Sequence, residues 1–272
     1  MSTVKRNPKL PAAAGALAAL FALPARADWS LLNMPKGVSV LSREIYDMHM
    51  IMLWICFAIA VVTFGAMIFA MIRFRKSKGA VADTKLLHNA RLEAAWTLVP
   101  TIILIAMAIP SVDKLIKIED MSGSELTVKI TGYQWYWQYE YLGKGVSFYS
   151  RLARTSDLAR QRGSGIDPNT VENYLLEVDH PLVVPVGTKI RLLLTANDVI
   201  HAWWVPDFGM KRDAIPGFMN EMWISVDADK PGTYRGKCAE LCGADHGFMP
   251  IVVVAKPKPE FETWLASQVA TE

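Results

Sequence analysis

Apolar residues in this chain follow two different rhythms. The first is continuous. Met50 to Ile72 runs for 23 residues without a charge, and a second apolar run extends from Ala94 to Val112. At 1.5 Å per residue the first run is enough to cross a hydrocarbon core of about 30 Å. Pro100 and Pro110 interrupt the second run, which a membrane helix tolerates when its neighbours satisfy the freed carbonyls. A helix start is expected over Ser42 to Asp47, with Ser42 as its cap, giving membrane helices at about 44–74 and 91–116. After Asp113 the rhythm shortens. Leu126–Ile130, Tyr133–Tyr141, Leu175–Val178, Leu182–Val186, Lys189–Thr195, Met222–Val226, Gly232–Gly236 and Ile251–Ala255 read as short strands separated by Pro, Gly, Asn and Asp. Such punctuation predicts a β-sandwich or barrel. Residues 143–173 break the pattern and read as a long surface excursion, and Phe261–Val269 reads as a short terminal helix. The expected fold is therefore a two-helix transmembrane hairpin, within an N-terminal segment 28–120, followed by an all-β sandwich over 121–272.

Residues 1–27 read as a secretory signal: Lys5, Arg6 and Lys9, then the apolar run Ala12–Leu23, then Ala25-Arg26-Ala27 as a small-x-small cleavage site. Charge sets the orientation of the hairpin. The segment between the runs holds Arg73, Arg75, Lys76, Lys78, Lys85 and Arg91 against Asp83 and Glu93, so the positive-inside rule puts it in the cytoplasm. The sandwich then lies on the far side, in agreement with a signal peptide. The expected location is the inner membrane of a bacterium, multi-pass, with a periplasmic C-terminal domain and the lipid bilayer as partner.

Composition adds little beyond this. The apolar fraction of 52% reflects the two runs, and a formal charge of +3 gives no argument for nucleic acid. Three cysteines do not make a disulfide framework, since Cys56 sits in an apolar run far from the other two.

Those other two carry the chemistry. Cys238-Ala-Glu-Leu-Cys242-Gly-Ala-Asp-His246-Gly-Phe-Met249 places two thiols, an imidazole and a thioether in twelve residues. Soft ligands of this kind suit copper or zinc, and the thioether favours copper. A disulfide or two buried thiols are the plain alternatives for an exported domain. His201 lies 37 residues before Cys238, a separation that a sandwich closes when two loops share one end. A single-copper site of the blue-copper type would leave one thiolate spare, whereas two thiolates can bridge two coppers.

The set His201, Cys238-x-Glu240-x-Cys242-x-x-x-His246-x-x-Met249 resembles the dinuclear copper A site of subunit II of cytochrome c oxidase. The resemblance extends to the hairpin, to Gly132-Tyr-Gln-Trp-Tyr-Trp-Gln-Tyr-Glu140 and to Asp213-Ala-Ile-Pro-Gly217. It implies a cupredoxin-like sandwich and an electron-transfer role: electrons pass from cytochrome c through copper A to haem in subunit I, where oxygen is reduced to water with proton pumping. Cys238 and Cys242 would bridge both coppers, and His201 and His246 would each terminate one. Met249 would bind one copper weakly, and the Glu240 carbonyl would face the other. The Glu240 side chain would hold a magnesium or manganese ion shared with subunit I, a hard cation suited to oxygen. Trp135 would receive electrons, and Trp137 would share its face. Trp203 and Trp204 would pack the copper loop. Glu140, Asp179 and Asp198 would be the acids that dock cytochrome c, and Glu93 would sit at the cytoplasmic mouth of the K proton pathway. The implied partners are subunit I, the other oxidase subunits and cytochrome c.

Two departures from the mitochondrial pattern stand out. Tyr133 replaces a histidine, and the excursion carries Lys144, Arg151, Arg154, Arg160 and Arg162 against Asp157, Asp167 and Glu172, where mitochondrial relatives are acidic. Other readings predict different features. A membrane-anchored copper carrier needs neither a docking tryptophan nor Glu93, a quinol-oxidase subunit lacks the copper ligands, and a nitrous-oxide reductase fragment lacks the hairpin.

Overall fold

A computed structural model describes residues 32–81 and 88–269. The signal segment and its cleavage site after Ala27 lie outside the described residues. Two long helices come first, α1 (Val40–Arg73) and α2 (Ala90–Glu119). Helix α1 starts earlier than its apolar run. Its cap is Ser39, not Ser42: Ser39 Oγ accepts from Ser42 N–H (3.0 Å) and Ser42 Oγ accepts from Ser39 N–H (2.9 Å). This reciprocal box satisfies two orphan donors, and Ser42 is its third helical residue. Helix α2 is capped by Asn89, whose Oδ1 accepts from Leu92 N–H, and it runs through Pro100 and Pro110. Large apolar side chains cover the hairpin's outside, among them Trp54, Phe57, Phe64, Ile102 and Ile105. This surface suits a hydrocarbon solvent.

The remainder is a sandwich of two five-stranded sheets. The first sheet holds β1 (Leu126–Tyr133), β2 (Tyr136–Tyr141), β3 (Val146–Ser150), β5 (Ile190–Ala196) and β8 (Asn220–Ile224) in the order β3-β2-β1-β5-β8. The second holds β4 (Leu182–Pro185), β6 (His201–Trp204), β7 (Lys211–Ala214), β9 (Gly232–Cys238) and β10 (Pro250–Lys256) in the order β4-β10-β9-β6-β7. Helix α3 (Arg154–Ala159) follows β3, and α4 (Lys258–Val269) closes the described chain. Period-two alternation explains the core. Leu126, Val128 and Ile130 of β1 point inward with Ile190, Leu192 and Leu194 of the parallel strand β5. Tyr141 is buried with its hydroxyl donating to Val183 O (2.7 Å) and accepting from Val183 N–H (3.0 Å). Both of its polar functions are met, as burial requires.

Four strand-like expectations change. Tyr133–Tyr141 is not one strand: Tyr133 ends β1, Gln134 and Trp135 form a turn, and β2 starts at Tyr136. Val146–Ser150, assigned to the excursion, is the edge strand β3, held by register with β2. Leu175–Val178 is not a strand; its β-pairing among the described residues is a single isolated bridge between Val178 and Leu152. Strands β6 and β7 are only four residues each, too short to leave a periodic trace.

The hairpin is tied to the sandwich by polar contacts. Arg43 pairs with Asp227 (2.5 Å) and Arg212 with Glu119 (2.5 Å). Lys189 Nζ donates to the carbonyls of Asp120 (2.7 Å) and Ser122 (2.8 Å) at the end of α2. The chain before α1 adds Val38 N–H to Asp207 O (3.1 Å) and Asp227 N–H to Val38 O (2.9 Å).

Candidate metal centre

One end of the second sheet gathers the sequence-distant residues. Strand β6 begins at His201 and β9 ends at Cys238. The two strands pair with Trp203 opposite Cys238. Strand β10 begins one residue after Met249, and Cys238 N–H donates to Met249 O (3.1 Å). Ala239 N–H donates to Ala202 O (3.0 Å). Strand pairing thus fixes three of the predicted positions before any metal is considered. The remaining positions sit on the loop from Glu240 to Phe248, which ends in a 3-10 turn over His246–Phe248.

The donor atoms converge. A ring nitrogen of His201 and the sulfurs of Cys238 and Cys242 all lie within 4.8 Å of one another. Cys238 Sγ is 3.8 Å from Cys242 Sγ. That gap is well beyond the 2.03–2.05 Å of a disulfide. It is also less than twice a metal–thiolate bond of about 2.3 Å, so both sulfurs could be ligands of one metal. Each sulfur faces its own imidazole: Cys238 Sγ lies 3.9 Å from His201 Nδ1, and Cys242 Sγ lies 3.5 Å from His246 Nδ1. The Glu240 carbonyl is 3.4 Å from Cys238 Sγ, while the Glu240 residue is exposed. Met249 is buried beside them. Two soft anions, two imidazoles, a thioether and a carbonyl fit a copper centre by donor chemistry.

The electrostatics fit as well. Burial raises the Cys238 thiol, but His201, the Glu240 backbone and the Ala202 backbone outweigh it and bring it down to about 7. Burial and the neighbouring Cys238 push Cys242 up to about 12. Cys242 therefore keeps its proton at neutral pH when no metal is bound, and binding a metal to both sulfurs must displace that proton. Burial lowers His201, yet Cys238 and Asp198 together hold it above the ordinary imidazole value.

A layer of residues orients these ligands: Gly132 and Gln134, to which sequence reasoning gave no role, and Asp198 and Trp135, to which it gave other roles. Asp198 Oδ1 lies 2.9 Å from His201 Nε2 and accepts from Val199 N–H (2.7 Å); its Oδ2 accepts from Gln134 N–H (2.7 Å). A carboxylate behind an imidazole fixes ring orientation and raises ligand basicity. Gln134 Nε2 (2.9 Å) and Trp135 Nε1 (3.1 Å) both donate to Cys242 O. Gly132 lies across the sandwich from the fully buried His201. A Cβ there would stand 2.7 Å from His201 Cδ2, so β1 can approach the ring only as glycine. The legible signal was the Gly132-Tyr-Gln-Trp135 run itself, read for its tryptophan and not for its glycine or glutamine.

The other expected residues are placed as follows. Trp135 is half-buried in the β1–β2 turn, whereas Trp137 is fully buried with its ring 5.8 Å from that of His201. The two therefore do not share a surface face. Trp203 is buried against Phe208, and Trp204 is exposed. Glu140 pairs with Lys129 (2.7 Å), and Asp179 accepts from the N–H groups of Arg151 (2.7 Å) and His180 (2.8 Å). Glu93 is in the first turn of α2, 2.7 Å from His88 Nδ1.

Comparison with known proteins agrees with this geometry. Residues 126–256 match the family described as cytochrome C oxidase subunit II, periplasmic domain, and residues 27–113 match its transmembrane domain. The chain is 39% identical over 238 residues to a probable cytochrome c oxidase subunit 2 of Rickettsia prowazekii (strain Madrid E), covering 88% of this chain and 72% of that one. It is 44% identical over 192 residues to cytochrome c oxidase subunit 2 of Lycodon semicarinatus, covering 68% of this chain and 79% of the relative. Among solved structures, the periplasmic domain of subunit II of cytochrome oxidase of Bradyrhizobium japonicum is 40% identical, with a TM-score of 0.47, covering 56% of this chain and 99% of that one. A hairpin and a β-sandwich with both family matches, in one chain, make this protein a member of the cytochrome c oxidase subunit II family, a membrane-bound component of the haem–copper oxidase complex.

Proposed function

We propose that this subunit takes electrons from cytochrome c at a dinuclear copper A centre and passes them to haem in subunit I. The observation that carries the reading is the pair of sulfurs 3.8 Å apart, each facing its own imidazole nitrogen. Cys238 and Cys242 would bridge, His201 and His246 would terminate, and Met249 and the Glu240 carbonyl would complete the set. Two bridged coppers supply a one-electron relay whose charge change is spread over both metals. The chain's own residues make that relay rigid. Asp198 locks His201, the β6–β9 pairing locks Cys238, and two side-chain donors lock the Cys242 carbonyl. Rigid ligands leave little to reorganise on each transfer.

Trp135 is the electron-receiving residue of this reading. Its half-buried ring reaches the ligand loop through a single hydrogen bond, from Nε1 to Cys242 O. Glu240 turns its carbonyl toward Cys238 and is an exposed residue, which suits its carboxylate to a magnesium or manganese ion at a border with subunit I. Glu140, Asp179 and Asp198 are the acids proposed to steer cytochrome c. Because the Asp198 carboxylate already serves His201 and Gln134, a positioning role is proposed for it as well. Glu93 is proposed as the mouth of the K proton pathway, at the capped start of α2. The membrane is proposed to be the bacterial inner membrane, with the sandwich periplasmic and residues 1–27 removed as a signal.

The test is electron paramagnetic resonance and metal analysis of the oxidase purified through this chain. Two coppers per chain with a mixed-valence signal are expected. One exchangeable copper per chain would overturn the reading in favour of a carrier.

A further inference from the structure

The basic excursion has no part in the function above. Its arginines do not simply face solvent. Its two legs zip together: Ala153 N–H donates to Glu177 O (2.9 Å), Asp179 N–H donates to Arg151 O (3.0 Å), and Leu152 bridges Val178. Ser156, fully buried, accepts from Leu175 N–H through Oγ (3.1 Å) and closes the loop on α3. The outgoing leg is bound to the strand that delivers Cys238, through Glu177 and Arg235 of β9 (2.6 Å).

The far end of α3 lies on the ligand loop. Arg160 Nε donates to Asp157 Oδ1 (2.8 Å), and its two terminal nitrogens reach Asp245 Oδ1 (3.4 Å) and Oδ2 (3.3 Å). The same guanidinium covers the Phe248 ring at 4.5 Å. Asp245 and Phe248 flank His246, and Phe248 N–H donates to Asp245 O (2.9 Å) to close the turn between them. One planar cation thus grips both ends of the turn that carries His246 and leads into Met249.

We propose that the excursion is a strap across the ligand loop and that Arg160 is a positioning residue for His246 and Met249. The proposal rests on the copper reading, although its local-ordering claim does not need the metal. Nothing in β9 or β10 restrains residues 243–248 laterally, because both strands pair only outside that stretch. A turn without strand partners is the segment most prone to open locally. A charge-assisted fork and a cation–π contact, each modest alone, act here on the same turn. The positive charge of Arg160 is directed at Asp157 and Asp245, not at a docking partner.

The test uses the assembled oxidase with Arg160→Ala, Arg160→Lys and Arg154→Ala. Arg154 is an exposed residue on the same helix whose guanidinium makes none of these contacts. Copper release to a Cu(I) chelator and amide hydrogen exchange are measured together. Arg160→Ala is expected to release copper about tenfold faster, with faster exchange confined to residues 154–160 and 243–249. Arg160→Lys keeps the charge but loses the planar fork and falls between, and Arg154→Ala matches the unmodified complex. Unchanged release and exchange in Arg160→Ala overturn the proposal. So does exchange raised evenly through all strands, which would make Arg160 a general stability residue. An unmodified complex lacking copper would remove the copper reading instead, and the exchange measurement would still decide the role of Arg160.

Discussion

The hairpin and the sandwich use the same apolar residues to opposite effect. In α1 and α2 the large side chains point outward: Trp54 is 62% exposed and Ile102 64%. In the sandwich Trp137, Ile130 and Leu192 are fully covered. The hairpin satisfies its backbone hydrogen bonds within each helix, so its outer surface is free to match whatever solvent or subunit meets it. The sandwich satisfies its backbone between strands, so its side chains must fit one another. Tolerance to change should therefore differ sharply between the two regions, and the difference is sharpest near the ligands.

Cys242→Ser makes the largest break. On the proposed copper reading it swaps a soft bridging donor for a hard one, so the two-copper signal should be lost and turnover should fall about a hundredfold or more, while hairpin insertion should be unaffected. Steady-state oxidation of cytochrome c and membrane fractionation check the two halves of that statement. Next is Asp198→Asn, which leaves the shape but withdraws the charge behind His201. Copper affinity should fall about 10–100-fold. A competition titration at several ionic strengths separates this from docking, since a pure docking acid would alter only the salt dependence of the reaction with cytochrome c.

A pair of glycines then sharpens the contrast. Gly132→Ala puts a methyl against the His201 ring, where the ideal Cβ is 2.7 Å from Cδ2. Overpacking of this kind costs about 1–3 kcal/mol, and thermal unfolding of the sandwich should drop accordingly. Gly65→Ala in α1 meets nothing within 4 Å among the described residues. An alanine there should stabilise the helix by about 0.5–1 kcal/mol. Equal losses at the two positions, measured by thermal melts of the detergent-solubilised chain, would contradict the distinction between the regions.

The same division governs what could be read from the residues. Hairpin, charge asymmetry, long strands and the spacing of Cys238, Cys242, His246 and Met249 were all legible, because each is a local pattern. Ser39 was missed as the cap because a capping box involves two serines, and the second one, Ser42, drew the assignment. Strand β3 was missed because an edge strand of five residues sits in a polar stretch. Trp135 and Trp137 differ in exposure because the first lies in the turn before β2 and the second within it, a boundary that alternation does not mark.

By itself, the sequence determined the membrane hairpin, the sandwich class and the donor chemistry of one loop, since these depend on residue type and short-range spacing. Only the tertiary structure decided how the donors are held. Asp198 sits behind His201 and Gln134 beneath Cys242 because two loops from different strands meet there. Gly132 must be glycine because β1 lies against His201. Arg160 finds Asp245 across 85 residues of chain. Each is a contact between segments far apart in sequence, set by strand pairing and sheet packing, and residue type alone carries no record of which distant partner it will meet.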